Sequence, residues 1–263
     1  MSAETVLVTG ASSGIGWELA KLFAADGANL ILVARSQDKL EQLAQEVHQQ
    51  HGVSATVLPR DLSVPGAAQS LIEDISGQGL TVDTLVNNAG FGQMGRFATI
   101  DPKRHRDMMQ LNMQVLTELS QLFLPGMLER NRGGILNLGS TAAFQPGPNS
   151  AVYYATKAYV LSLTEALHYE LRNTNVKVTC LCPGPTRTGF GEDSGMESTR
   201  VFRWNSMSVE KVARMGHRGF RKGKRLVMPG LINRILAASV RFTPRPIILD
   251  VMSYLQPIPS TKE

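Results

Sequence analysis

The sequence predicts an α/β fold built on a parallel sheet, and three observations carry that expectation. Short aliphatic and β-branched runs alternate with longer runs of helical period, and strands alternating with helices pair in parallel through right-handed crossovers. The first of those strands runs directly into a glycine-rich turn and a helix. The 263 residues suffice for one large continuous core, and no repeat or low-complexity segment marks a second domain.

Taken in order, Thr5-Val-Leu-Val-Thr9 is the first strand, Gly10-Ala-Ser-Ser-Gly14-Ile-Gly16 the turn, and Trp17 to Ala25 a helix. This is the context that a dinucleotide phosphate requires. Glycines let the backbone approach the pyrophosphate, and the helix start offers unpaired N–H groups and the positive end of a dipole. The spacing is Gly-x-x-x-Gly-x-Gly, not Gly-x-Gly-x-x-Gly, and a tight turn without ligand is the plainer alternative. Asn29 to Ala34 is a second strand, followed by a polar helix through Gln50. Ala55 to Pro59 is a third, ending at Arg60-Asp61, with a helix after it. Thr84-Leu-Val86 is a fourth and runs into Asn87. A long helical tract covers about Pro102 to Arg130, Gly134 to Leu138 is the fifth strand, Ser150 to Arg172 a helix, and Val176 to Cys180 the sixth strand.

Within that late helix, Tyr153 and Lys157 are four residues apart and share a face. A phenol is a weak acid, with a pKa of about 10. A neighbouring ammonium favours the phenolate and is expected to draw that value toward the working range. Alone, a Tyr-x-x-x-Lys also fits a solvated helix.

Together, Thr9-Gly10-x-x-x-Gly14-Ile-Gly16, Asn87-Asn-Ala-Gly90, Asn112, Ser140, Tyr153-x-x-x-Lys157 and Pro183-Gly184 resemble the short-chain dehydrogenase/reductase family, in the family's order and over roughly residues 4 to 188. The resemblance implies a single Rossmann-like, doubly wound parallel sheet of about seven strands with helices on both faces. It implies one dinucleotide-binding and catalytic domain over 1–263, with a substrate lid and basic segment at about 186–230 and a C-terminal extension at 231–263. It assigns Tyr153 as acid and base, Ser140 as the hydroxyl that orients the substrate oxygen, and Lys157 to the phenol and the nicotinamide ribose. Asn112 would hold a water joining Lys157 to solvent; its simpler alternative is a helix-interior Asn bonded to backbone. Tyr154 is expected only to pack.

The cofactor is read from charge. Where enzymes of the unphosphorylated dinucleotide carry an acid at the end of the second strand, this chain has Val33-Ala34-Arg35-Ser36. Arg35 can pair with a 2′-phosphate, and no carboxylate repels it; an ordinary surface arginine is the alternative. NADP(H) is therefore expected, held by Gly10, Ser12, Ser13, Gly14, Ile15, Gly16 and Arg35. By resemblance Asp61 and Leu62 lie near the adenine, Asn88, Ala89 and Gly90 along its ribose, and Pro183, Gly184, Thr186 and Thr188 at the carboxamide and phosphates. Thr186 stands where the family more often has an aliphatic residue. No metal is expected.

Gly189, Gly191 and Gly195 interrupt a run carrying Phe190, Met196, Phe202 and Trp204, which suits a lid over an apolar substrate or, alternatively, a loose surface loop. Charge is uneven: residues 200–263 carry 13 Lys/Arg against 3 Asp/Glu, residues 1–199 carry 14 against 19. The cluster Arg218, Arg221, Lys222, Lys224, Arg225 fits a solvated face, an anionic carrier such as coenzyme A or acyl-carrier protein, or an anionic membrane surface. Leu231 to Val240 is amphipathic and suits either a lipid surface or a terminal helix packed on the sheet. A pI near 9.4 has no base-reading motif beside it, so nucleic acid is not expected.

Cys180 and Cys182 are expected to face opposite ways and remain unbridged, as small buried hydrophobes of a reducing compartment. The early first strand leaves no room for a signal peptide, and no apolar run reaches the ~18 residues of a membrane span. A cytoplasmic protein is therefore expected, with a homodimer or homotetramer implied by the resemblance. The function this reading favours is NADPH-dependent reduction of ketones, aldehydes or 3-oxoacyl groups. The alternative is a non-catalytic dinucleotide sensor of the same fold, for which an intact Ser140, Tyr153 and Lys157 would have no purpose.

Overall fold

The computed structural model describes residues 3–197, 199, 200, 202 and 206–257; Trp204 of the expected lid lies outside the described residues. Seven strands form one wholly parallel sheet: β1 (Thr5–Thr9), β2 (Asn29–Ala34), β3 (Ala55–Pro59), β4 (Thr84–Asn87), β5 (Gly134–Leu138), β6 (Lys177–Leu181) and β7 (Leu226–Val227). Their spatial order is 3-2-1-4-5-6-7. The chain winds outward from β1 to β3, then returns across the sheet to place β4 on the other side of β1. A crevice opens at the carboxyl ends of β1 and β4, where the winding reverses.

The two-residue period of the strands sorts the core into layers. Val6, Val8, Leu30, Leu32, Leu136 and Leu138 face one layer, packed with residues of α1 (Gly14–Ala25), α2 (Gln37–His51) and α8 (Val209–Arg221). Leu7, Ile31, Val33, Leu85 and Ile135 face the other, packed with α3 (Ala67–Gly77) and α5 (Leu116–Glu129). The long tract is α4 (Pro102–Met109) and α5 joined through a π-helical stretch, Gln110–Val115. Such a stretch holds an extra residue per turn and changes which way its side chains point. The helix that carries Tyr153 and Lys157 is α6 (Ala151–Glu170). A short α7 (Gly189–Ser194) follows β6, and α9 (Leu231–Ser239) and α10 (Arg245–Leu255) end the described chain.

One expectation needs correction. Cys180 and Cys182 lie on one face, as residues two apart in a strand must. Their Sγ atoms are 3.5 Å apart, and both are buried free thiols. The basic cluster sits at the amino ends of the strands, opposite the crevice. Arg221 pairs there with Glu4 at 2.8 Å and Asp26 at 2.7 Å and lies over the Phe23 ring. Its carbonyl accepts from Lys177 at the start of β6, and Arg225 pairs with Glu165. These two cations tie α8 and β7 to the body instead of standing free.

A buried polar chain crosses the centre of the sheet. Asn87 Nδ2 donates to Asn137 Oδ1 at 2.9 Å and to Ser120 Oγ at 3.1 Å, and Asn137 Nδ2 donates to Thr164 Oγ1 at 3.0 Å. It links β4 and β5 to α5 and α6. Asn137→Ala removes one partner from each of two buried groups, Asn87 and Thr164, so a loss of about 2 kcal/mol is expected. Urea denaturation checks it: the midpoint should fall at unchanged slope, and an unchanged midpoint would mean that this chain of bonds carries no net stability.

Candidate active site

Gly10 ends β1 with φ +66°, and Gly14 opens α1 with φ +59°; both need the left-handed region that glycine enters without strain. Space is the second constraint. A Cβ on Gly16 would sit 2.3 Å from Asn88 Nδ2 and 2.4 Å from the Gly10 carbonyl oxygen. Gly16 therefore packs helix against turn and does not line the crevice, unlike the other expected glycines. Ser13 begins α1 without a side-chain cap, and the first turn holds no acid, so its leading N–H groups remain open to the crevice.

The loop after β4 is fastened from both sides. Thr9 Oγ1 accepts from Asn88 N and Ala89 N at 3.0 Å each, while Asn88 Nδ2 donates back to the carbonyls of Thr9 and Gly10. From the other side, Asn112 Oδ1 accepts from Phe91 N at 3.1 Å and its Nδ2 donates to Phe91 O at 2.9 Å and Thr156 Oγ1 at 3.1 Å. Asn112 is thus spent on backbone and on α6. Its side chain does not line the crevice, and its bonds to Phe91 are those of the simpler reading.

Ser140 stands beyond β5 in extended conformation, its Oγ accepting from Ala142 N at 3.1 Å. It hydrogen-bonds the Tyr153 hydroxyl. Lys157 lies one turn further along α6, its Nζ donating to Leu138 O at 2.8 Å and standing 5.9 Å from the Tyr153 ring centre. Both side chains are buried. Burial dominates their acidity: it pushes Tyr153 up to about 12, against the Ser140 bond, and pushes Lys157 down to about 8. The expected lowering of the phenol by Lys157 is not what this environment produces.

Ser140, Tyr153 and Lys157 face one crevice of about 750 Å³. It runs from Gly10, Ser12, Ser13, Gly14 and Ile15 past Arg35, Asp61, Leu62 and Asn88 to Gly90. It continues along Ser140, Tyr153 and Lys157 to Pro183, Gly184, Thr186 and Thr188. At its outer end, burial's upward push on Asp61 is outweighed by the hydrogen bonds from Ser63 and the charges of Arg35 and Lys103, holding its carboxyl below the usual range. Arg35 is exposed. At the inner end the walls are apolar: Phe91, Phe190, Met196, Phe202 and Tyr154, with the Phe190 ring 5.6 Å from that of Tyr153. Tyr154 does more than pack, because it lines the crevice and accepts from Gln256 beyond α10. Sequence reasoning missed Phe91 and Gln256, since neither lies in a recognisable pattern.

The two ends of the glycine-rich segment are pinned to each other. Thr186 bridges Met207, with Arg187 N bonded to Met207 O and Met207 N to Pro185 O. Between those pins, α7 lays Phe190 into the crevice, and Met94 N bonds to Ser194 O.

The comparisons agree with this geometry. The family profile described as short chain dehydrogenase matches residues 4–198. A sulfoacetaldehyde reductase 2 of Chromohalobacter salexigens is 38% identical over 190 residues, 72% of this chain and 75% of that one. A 7beta-hydroxysteroid dehydrogenase of Clostridium sardiniense is 35% identical over 182 residues, 69% of each. A short-chain dehydrogenase from Sphingobium yanoikuyae, solved in complex with NADPH, superposes with a TM-score of 0.81 at 30% identity, covering 99% of this chain and 98% of that chain.

Lys157 offers a pH test. Its pKa is 10.5 in an ordinary setting and about 8 in the fold, so between those values the unfolded chain binds more protons and stability rises with pH. Lys157→Met removes the buried charge. The variant's stability advantage over the parent should be full below pH 8 and vanish by about pH 10.5. Tyr153 ionisation is common to both proteins and cancels. Denaturation midpoints across that range check this, and a constant difference would contradict the buried ammonium.

Proposed function

We propose that this chain, which belongs to the short-chain dehydrogenase family, is an NADPH-dependent reductase of apolar ketones and aldehydes, including 3-oxoacyl groups, and runs the reverse oxidation of the alcohols. The observation that carries it is the meeting of Ser140, Tyr153 and Lys157 at the point where a glycine-lined, cation-edged half of the crevice gives way to an aromatic half.

The residues present fit the dinucleotide. The open N–H groups of α1 and the left-handed Gly10 and Gly14 suit a pyrophosphate, and Arg35 suits a 2′-phosphate. Thr186 and Thr188 would reach the carboxamide end. When bound, the cofactor supplies the hydride. The protein supplies the proton and the placement. A substrate carbonyl oxygen set between the Ser140 and Tyr153 hydroxyls receives two hydrogen bonds, which strengthen as negative charge develops on it. With its pKa about 12, Tyr153 is fully protonated at neutral pH, the form needed to give a proton to that oxygen. Lys157, at about 8, is still mostly ammonium there, and its charge stabilises the phenolate left behind. Phe190, Met196 and Phe202 exclude water and select an apolar substituent.

NADPH consumption against a panel of carbonyl compounds tests the assignment. Tyr153→Phe should abolish turnover with NADPH binding nearly unchanged, since only the proton donor is lost; retention of more than about a tenth of parental activity would remove Tyr153 from its role. Arg35→Ala should lower kcat/KM for NADPH roughly ten- to hundredfold and leave NADH almost untouched. Equal parental efficiency with the two cofactors would defeat the NADPH preference.

A further inference from the structure

The C-terminal hairpin holds most of the large hydrophobic side chains that stand exposed among the described residues. Of fifteen large hydrophobic side chains exposed among the described residues, nine lie between residues 231 and 254. Leu231, Ile232, Ile235 and Leu236 form one continuous stripe on α9, because positions one, four and five apart fall on one side of a helix. The opposite side, Asn233 and Ala237, is buried against the body. On α10, Ile247, Val251 and Tyr254 recur at intervals of four and three, again outward, while Ile248 and Met252 are buried near Tyr153 and Tyr154. Phe242, in the turn between the two helices, is 87% exposed. Monomeric soluble proteins rarely expose patches of this kind without using them.

Charge selects the occupant. Residues 231–257 carry three arginines, Arg234, Arg241 and Arg245, and a single acid, Asp250. All three arginines are exposed, and none forms an ion pair among the described residues. A twofold contact between two copies would bring this patch against itself, six cations against two acids. An anionic lipid surface instead gives every arginine a partner while its acyl boundary takes the leucines, isoleucines and Phe242. The position is also functional: Gln256, directly after α10, lines the crevice.

We propose that α9, α10 and their connecting turn form a docking face for an anionic lipid surface, with Phe242 and the α9 stripe entering the headgroup boundary and the three arginines at the phosphates. The face flanks the apolar end of the crevice, so a lipophilic substrate reaches Tyr153 from the lipid without crossing water.

Flotation of the full chain with vesicles tests this directly and does not depend on the reductase reading. The parent should float with phosphatidylcholine vesicles containing phosphatidylglycerol, float poorly with phosphatidylcholine alone, and lose binding as salt is raised. Ile235→Asp with Phe242→Asp should abolish flotation. Arg234→Gln, Arg241→Gln and Arg245→Gln together should cut partitioning into the anionic vesicles roughly a hundredfold, each charge being worth about fivefold. Urea denaturation midpoints of both variants, unchanged from the parent, verify their fold. A parent that stays at the bottom of the gradient with anionic vesicles, or variants that float like the parent, would overturn the proposal. So would a parental dimer, seen by sedimentation, that the Asp variant turns into monomers while no form binds vesicles, because that result assigns the face to a second copy.

Discussion

The site hangs on the way two side chains spend their hydrogen bonds on one loop. Thr9 at the end of β1 and Asn112 in the π stretch hold the backbone from Asn88 to Phe91 from opposite sides. That loop lies between the glycine turn and the catalytic helix, so its position fixes their separation. The fit is close. A Cβ on Gly90 would lie 2.9 Å from Asn112 Oδ1 and 3.8 Å from Lys157 Nζ, which leaves no slack for a larger residue or a shifted loop. Because buried amides and hydroxyls cost free energy unless paired, this arrangement holds as a set or not at all.

Burial sets the acidity of the catalytic pair. Each group is pushed toward its neutral form, the phenol upward and the ammonium downward, because the surrounding helix and strand ends exclude water from both. Sequence spacing alone predicts the opposite sign for Tyr153, since it registers the neighbouring charge and not the missing solvent. The environment favours proton donation. A phenol held protonated beside a cation gives up its proton when an oxygen in the crevice gains negative charge, the condition met in the proposed carbonyl reduction.

What was legible in the sequence was the part governed by short-range rules. The glycine turn, the four-residue spacing of Tyr153 and Lys157 and the strands β1 to β5 depend on local period and φ, and the structure follows them to within a residue or two. Strand β6 begins one residue later than expected, at Lys177. Readings that depended on which end of the sheet a segment reaches, as for the basic cluster, were not accessible. Arg221 shows why. Its partners Glu4 and Asp26 are nearly two hundred or more residues earlier in the chain, and only the packing of α8 on α1 brings them together. The sulfur pair is a different case, because the strand period does place Cys180 and Cys182 on one face and the expectation misapplied it.

The apolar wall of the crevice comes from the stretches that local rules describe least. The wall of the crevice opposite the cofactor half is assembled from Phe91 after β4, Phe190 on α7, Tyr154 on α6 and Gln256 after α10, four places brought together only by the fold. Two contacts anchor the last of them: Gln256 Nε2 donates to the Tyr154 hydroxyl, and Asn149 Nδ2 donates to the Gln256 carbonyl at 2.9 Å. Tyr154 therefore connects the catalytic helix, on which its neighbour Tyr153 acts, to the end of the C-terminal hairpin. A displacement of that hairpin must move Gln256 or break these bonds. The apolar wall of the crevice and the apolar face that meets the outside are for that reason one mechanical unit, and Ile248 and Met252 of α10, packed beside Tyr153 and Tyr154, extend that unit to the phenol.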